Sequence, residues 1–341
     1  ECTDGSVAKE CPTTTCKKYV DEKGCTVEVC SDGKEQVYCP IAVECKTHVD
    51  SYGCTVEECT DGTVNRRCPI AVECKTYTDS AGCVVEECAD GRLVGQRVVG
   101  EINCCCGECP TCRAGAPTHC PDRTTLGIWG RDGAFADYLS LPVANLHTVP
   151  EAVSDEAAVF IEPLAAALKI LEQVQIKPTD RVVVLGDGKL GLLVAQVLGL
   201  TGCDLVVGGR HEEKLAILQR RGIDARLANE LPTEKADVVV DCTGHPSGFA
   251  AARGLVKPRG TLVLKSTFHG DVEVNLSLLV VDEITLVGSR CGPFAPALRL
   301  LERGLVDVES LISATYPLDE GLAAFERAQE KGMLKVLLDM T

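Results

Sequence analysis

A chain of 341 residues, 45% of them hydrophobic, holds ample material for a core, and its length suggests two or three domains. Its formal net charge of −16 argues against electrostatic capture of nucleic acid or of an anionic membrane surface, so a small-molecule substrate is expected. The most apolar stretch, Leu190–Val207, is broken by glycines and never gives the roughly 18 uninterrupted apolar residues of a membrane span.

The chain starts at Glu1 without a basic or apolar leader, and reads as a piece with a cut end. Of its 22 cysteines, 13 precede residue 91. They fall in register as Cys11, Cys16, Cys25, Cys30, then Cys39, Cys45, Cys54, Cys59, then Cys68, Cys74, Cys83, Cys88, a period of 28 or 29 residues that marks an array of small modules. Alternating residues such as Thr47, Val49 and Thr55, Glu57 flank Asp50-Ser51-Tyr52-Gly53, which reads as strand, turn, strand. With few large apolar residues per module, the four cysteines are read as two disulfides each. Metal thiolate binding is the rival reading, disfavoured because the array lacks C-x2-C pairs and holds a single histidine, His48. Glu1-Cys2-Thr3-Asp4-Gly5 repeats Glu58-Cys59-Thr60-Asp61-Gly62, so a partner for Cys2 is expected upstream.

Further along, Cys106, Cys109, Cys112 and Cys120 have the form C-x2-C-x2-C-x7-C. Four thiolates at that spacing close a tetrahedron around a structural zinc and leave no position for substrate. Two disulfides are the alternative, and the adjoining Cys104 and Cys105 offer other registers.

After Thr179-Asp180, the run Arg181–Leu185 meets Gly186-Asp-Gly188-Lys-Leu-Gly191 and a helical stretch over Leu192–Leu200. Gly186 permits the turn, Gly188 lets the backbone approach a pyrophosphate, and Gly191 permits close strand-helix packing. Later strands are expected over Asp204–Val207, Ala236–Asp241, Gly260–Lys265 and Glu283–Gly288, giving an α/β Rossmann domain with a doubly wound parallel sheet. Arg210 follows Gly191 by 19 residues, where an NAD-binding chain usually places a carboxylate. A guanidinium there binds a 2′-phosphate bidentately, so NADP is expected ahead of NAD; a solvated arginine at a helix start is the alternative.

These features, with Gly95-Gln-Arg-Val-Val-Gly100, Gly133-Ala-Phe-Ala-Asp-Tyr138, Glu162-Pro163 and Asp241-Cys-Thr-Gly244, resemble the zinc-dependent medium-chain alcohol dehydrogenase family from about residue 91 to 341. The resemblance implies a remnant of a GroES-like β domain with the zinc lobe at 91–150, the Rossmann domain at 151–292 and a return to the catalytic domain at 293–341, all following the cysteine-rich array read from the repeats at 1–90. It implies hydride transfer between an alcohol and the nicotinamide, assisted by a second zinc. It also implies dimers or tetramers. Glu162 matches one ligand of that second zinc, and Lys335 matches a basic position that can contact the pyrophosphate. The family's other two ligands, a cysteine and a Gly-His-Glu histidine, have no counterpart upstream. Impaired activity is therefore expected. The alternative is a cysteine-rich interaction or structural protein carrying an inactive nucleotide-binding remnant. NADP and a thiolate zinc suit a cytoplasmic setting, whereas disulfide repeats suit an oxidising one. A fused or mis-assembled gene product with its junction in Val84–Gly91 accommodates both.

Overall fold

The structure, a computed structural model, describes residues 16–20, 26–31, 35–38, 45–49, 55–59, 64–67, 75–78, 84–87, 93, 95–268 and 270–340. The chain separates into two compact units, Glu1–Val94 and Gly95–Thr341. In the first, β1 (Cys16–Val20), β2 (Thr26–Cys30) and β3 (Glu35–Tyr38) form an antiparallel sheet with Cys16 opposite Cys30. The same arrangement returns in β4 (Cys45–Val49), β5 (Thr55–Cys59) and β6 (Val64–Arg67), with Cys45 opposite Cys59, and β7 (Lys75–Thr78) pairs with β8 (Val84–Glu87). In two modules a third strand thus follows the expected pair, built from the short alternating runs Glu35–Tyr38 and Val64–Arg67. Cys30 is disulfide-bonded. The turn Asp50–Gly53 and Cys2, Cys11, Cys25, Cys39, Cys54, Cys68, Cys74, Cys83 and Cys88 lie outside the described residues. The remaining pairings stay an expectation.

The second unit opens with β9 (Val98–Gly100) and β10 (Asn103–Cys104), and continues through the short helix α1 (Pro110–Arg113), β11 (Thr124–Thr125) and β12 (Leu146–Thr148). Strand β9 pairs with β12, and β10 with β11. Buried Asn145 ties them together by donating to the Glu101 and Asn103 carbonyls, both at 2.8 Å. Then come α2 (Asp155–Ala158), capped by Ser154 Oγ accepting from the Ala157 N–H at 3.1 Å, and α3 (Ile161–Gln173).

The parallel sheet follows: β13 (Arg181–Leu185), α4 (Lys189–Gly199), β14 (Asp204–Gly209), α5 (Glu212–Gln219), β15 (Asp224–Leu227), β16 (Ala236–Asp241), α6 (Ser247–Leu255), β17 (Val256–Leu264), α7 (Leu276–Val281) and β18 (Thr285–Gly288). Its strand order is β15-β14-β13-β16-β17-β18 and all five pairings are parallel. Helix α4 starts earlier than expected because Gly188 is its N-cap, and β18 starts later because Glu283 occupies a left-handed turn (φ 50°). The chain closes with α8 (Phe294–Glu302), β19 (Ile312–Pro317), α9 (Gly321–Gln329) and β20 (Lys335–Asp339), the last two strands pairing in parallel.

A parallel sheet covered on both faces needs apolar side chains on both, which explains the unbroken valine runs. Val182 and Val184 of β13 join a cluster with Ile170, Leu192 and Leu198, whereas Val183 and Leu185 join the opposite cluster with Val239, Ala252 and Leu262. Each fully buried aliphatic side chain contributes about 1.5–3 kcal/mol. Ile170→Ala is expected to cost about 2–5 kcal/mol in denaturant unfolding, while Leu322→Ala, at an 84% exposed position, stays within about 0.5 kcal/mol.

Candidate dinucleotide and metal sites

At the exit of β13, Gly186 has φ +115°, and a β-carbon there would stand 2.6 Å from the Cys242 carbonyl oxygen at the exit of β16. A β-carbon on Gly191 would stand 2.0 Å from the Gly186 carbonyl oxygen. Both positions therefore require glycine, one to turn and one to let α4 lie against the turn. Gly188 is different: nothing lies within 4 Å of its β-carbon position, and as N-cap it makes no side-chain hydrogen bond. Gly188 lines a crevice of about 350 Å3, and the first-turn N–H groups of α4 follow directly after it. An anion fits there, because those donors lack intrahelical partners and the helix dipole is positive at that end.

The crevice continues to the exit of β14, where Arg210, His211 and Lys214 line it. Their placement depends on Asp187, the residue between the glycines. Its Oδ2 accepts from the Arg210 and His211 backbone N–H groups, both at 2.7 Å, and meets His211 Nδ1 at 2.9 Å. Burial alone would raise the Asp187 carboxyl; the bonds from Arg210 and His211 outweigh it and hold the group below its usual range. A β-carbon on Gly209 would stand 2.6 Å from the Asp187 β-carbon, so this glycine makes room for the carboxylate. Sequence reasoning passed over Asp187, His211 and Lys214. The only signal was the doublet Gly208-Gly209 ending a β-branched strand.

In the lobe, the sulfurs of Cys106, Cys109, Cys112 and Cys120 all lie within 4.8 Å of one another. Three of the separations are 4.0 Å (Cys106 to Cys112), 3.8 Å (Cys109 to Cys120) and 3.5 Å (Cys120 to Cys106). Zinc–sulfur bonds of about 2.3 Å set tetrahedral edges of about 3.8 Å, so the donor set fits a closed zinc site and is far too open for disulfides. The Cys112 N–H donates to Cys109 Sγ at 3.4 Å and draws that thiol down to about 7. Cys104 is buried in β10, and neither it nor Cys105 joins the group.

Glu162, in the first turn of α3, is raised by burial and drawn back by Lys335 and Lys265. Among the described residues, the lobe is the only group of three or more His, Cys, Asp or Glu side chains placed to hold a metal. Among the described residues Glu162 belongs to no such group, and the charges that draw its carboxyl back down are those of Lys335 and Lys265. Lys335 does not line the glycine crevice. It lies in a separate cavity of about 330 Å3 shared with Phe135 and Phe325, its ammonium 5.6 Å from the Phe160 ring centroid. Lys265, at the exit of β17, was also passed over; only 6% exposed, it is lowered by burial to about 8.

A parallel sheet in this order, with a glycine turn at its switch point and a four-thiol lobe, defines an oxidoreductase of the dinucleotide-binding, zinc-containing class. Comparison with known proteins gives the family. The zinc-binding dehydrogenase model matches residues 190–303 and the alcohol dehydrogenase GroES-like domain model matches residues 44–151, beginning upstream of the boundary expected near residue 91. The chain is 32% identical over 261 residues to the starvation-sensing protein RspB of Escherichia coli, covering 72% of this chain and 76% of that one. It is 30% identical over 263 residues to a sorbitol dehydrogenase of Halalkalibacterium halodurans, with the same coverage. The alcohol dehydrogenase TADH of Thermus sp. ATN1 superposes with a TM-score of 0.63 at 28% identity, covering 72% of this chain and 79% of that one. The chain belongs to the zinc-dependent medium-chain alcohol dehydrogenase family.

Two outcomes follow from these sites. Cys112→Ser should lower bound zinc from about one per chain toward zero in metal analysis, with loss of thermal stability. The Lys265 ammonium is protonated below about 8 when folded but up to its ordinary 10.5 when unfolded. Unfolded chains therefore hold the extra proton between those values, and stability relative to Lys265→Met should rise across that window in pH-resolved denaturation.

Proposed function

We propose that the chain is an NADP-linked oxidoreductase of the alcohol or polyol dehydrogenase type, with turnover held down by an incomplete catalytic metal site. The observation that carries the cofactor assignment is the trio Arg210, His211 and Lys214 lining the crevice at the exit of β14, with the Asp187 carboxylate turned onto His211. A 2′-phosphate would meet three basic side chains there, and Arg210 offers the bidentate fork that suits it. The α4 N-terminus would hold the pyrophosphate, which the open Gly188 lets approach. When bound, the nicotinamide supplies the hydride acceptor or donor. The similarity to a sorbitol dehydrogenase supports an alcohol or polyol substrate, or the matching carbonyl compound. Dimer or tetramer assembly, as the resemblance implies, is part of the same proposal.

A structural zinc fits the four thiols of the lobe. A catalytic zinc needs three protein ligands and an open position, and among the described residues no second group of three His, Cys, Asp or Glu side chains gathers at Glu162. No step is assigned to a second metal. The lack of further ligands beside Glu162 among the described residues favours a second reading, a nucleotide-binding remnant without turnover.

Fluorescence titration of NADPH and NADH tests the cofactor assignment. Arg210→Ala should weaken NADPH binding about 10- to 100-fold and leave NADH within about twofold; wild-type protein binding both equally would sink the NADP preference. Turnover over a panel of polyols and ketoses separates the two readings, since tight NADPH binding without any turnover supports the remnant.

A further inference from the structure

In a sheet of this order the two mononucleotide-binding halves divide the strand exits between them. Arg210, His211 and Lys214 mark the adenosine half at the exit of β14, so the ring-bearing half of a dinucleotide faces the exits of β16, β17 and β18. This inference rests on the nucleotide reading above.

The exit of β17 departs from what packing alone would select. Leu262, Val263 and Leu264 are followed by Lys265, a lysine only 6% exposed where another aliphatic residue would be cheaper to bury. Its ammonium donates to Ser289 Oγ at 3.0 Å and to the Arg290 carbonyl at 2.7 Å, both in the turn that leaves β18. The sheet ladder needs neither bond, because Lys265 N–H already donates to the Asp241 carbonyl and Ser289 N–H to the Leu264 carbonyl, each at 3.0 Å.

The same turn is clasped from outside. The Arg290 side chain donates to the Thr118 carbonyl in the zinc lobe, and Asn103 Nδ2 donates to Cys291 Sγ at 3.4 Å. Gln173 of α3 donates to the Gly288 carbonyl at 3.0 Å, and a β-carbon on Gly292 would stand 1.9 Å from the Ala165 carbonyl of α3. Those contacts fix where the turn sits. Lys265 alone among them reaches it from a neighbouring strand exit of the parallel sheet, and it sets the direction of the Arg290 peptide plane, since the carbonyl turned toward the ammonium points the following N–H the opposite way.

We propose that Lys265 is a positioning residue for the cofactor, holding the Ser289–Cys291 turn in the form that accepts the nicotinamide half of the dinucleotide. It acts through that turn and touches neither the pyrophosphate nor the adenosine end. Its loss should therefore be felt by the whole dinucleotide and not by a nucleotide that lacks the ring.

Titration of Lys265→Met with NADPH and with 2′-phospho-ADP-ribose tests this, with NADH and ADP-ribose run in parallel so that either cofactor preference is covered. The expected result is a dissociation constant about tenfold higher for the dinucleotide and within about twofold of wild type for its ringless counterpart. Lys265→Arg, which keeps a charged donor, should recover part of the loss. If Lys265→Met yields no folded protein, Ser289→Ala removes one of the two acceptors and should give a smaller loss with the same discrimination. Equal loss of both ligands in the folded variant, or loss of neither, overturns the positioning role while leaving the nucleotide reading intact. Wild-type protein that binds neither NADPH nor NADH overturns both.

Discussion

Three backbone segments converge where the first strand of the parallel sheet turns into its helix. Gly186 presses on the Cys242 carbonyl and Gly191 on the Gly186 carbonyl, both closer than any β-carbon allows. That contact sets the angle at which α4 leaves the sheet, and so aims its uncapped N-terminus into the crevice. The turn also carries Asp187, whose carboxylate is held at the exit of β14 by the Arg210 and His211 amides and the His211 ring. Placement of Arg210 and His211 follows from the carboxylate that their amides donate to.

The unit handles buried charge differently at the two ends of the crevice. Asp187 has three donors on one oxygen, which outweigh its desolvation and keep it ionised. Lys265 has two neutral acceptors, and desolvation dominates. A carboxylate held by three donors serves as a rigid strut, whereas a lysine buried with neutral partners remains costly and is retained where its bonds orient something else.

The lobe and the surroundings of Glu162 show how differently two metal sites depend on the fold. The four lobe thiols come from one short segment, and backbone N–H groups at Cys109 and Cys112 already organise the sulfurs. The second zinc of the family draws its ligands from distant segments, and among the described residues Glu162 belongs to no group of three metal-binding side chains. A coordination sphere assembled locally can be read from one stretch of sequence; one assembled across segments depends on the fold.

The same distinction separates what could be read from the residues and what could not. The glycine turn, the valine runs buried on both faces and the four-cysteine spacing are local patterns, legible because the residues that form each lie close together in the chain. From them came the sheet, the crevice and the thiol lobe. No local pattern paired Asp187 with His211, which is 24 residues away, or Lys265 with Ser289 and Arg290, or Glu162 with Lys335. By itself, the sequence determined the fold class, the glycine turn and the four-cysteine lobe. Only the tertiary structure decided which charges meet, because strand exits become neighbours through the order of the strands in the sheet, and the energy of a buried charge depends on what that order places beside it.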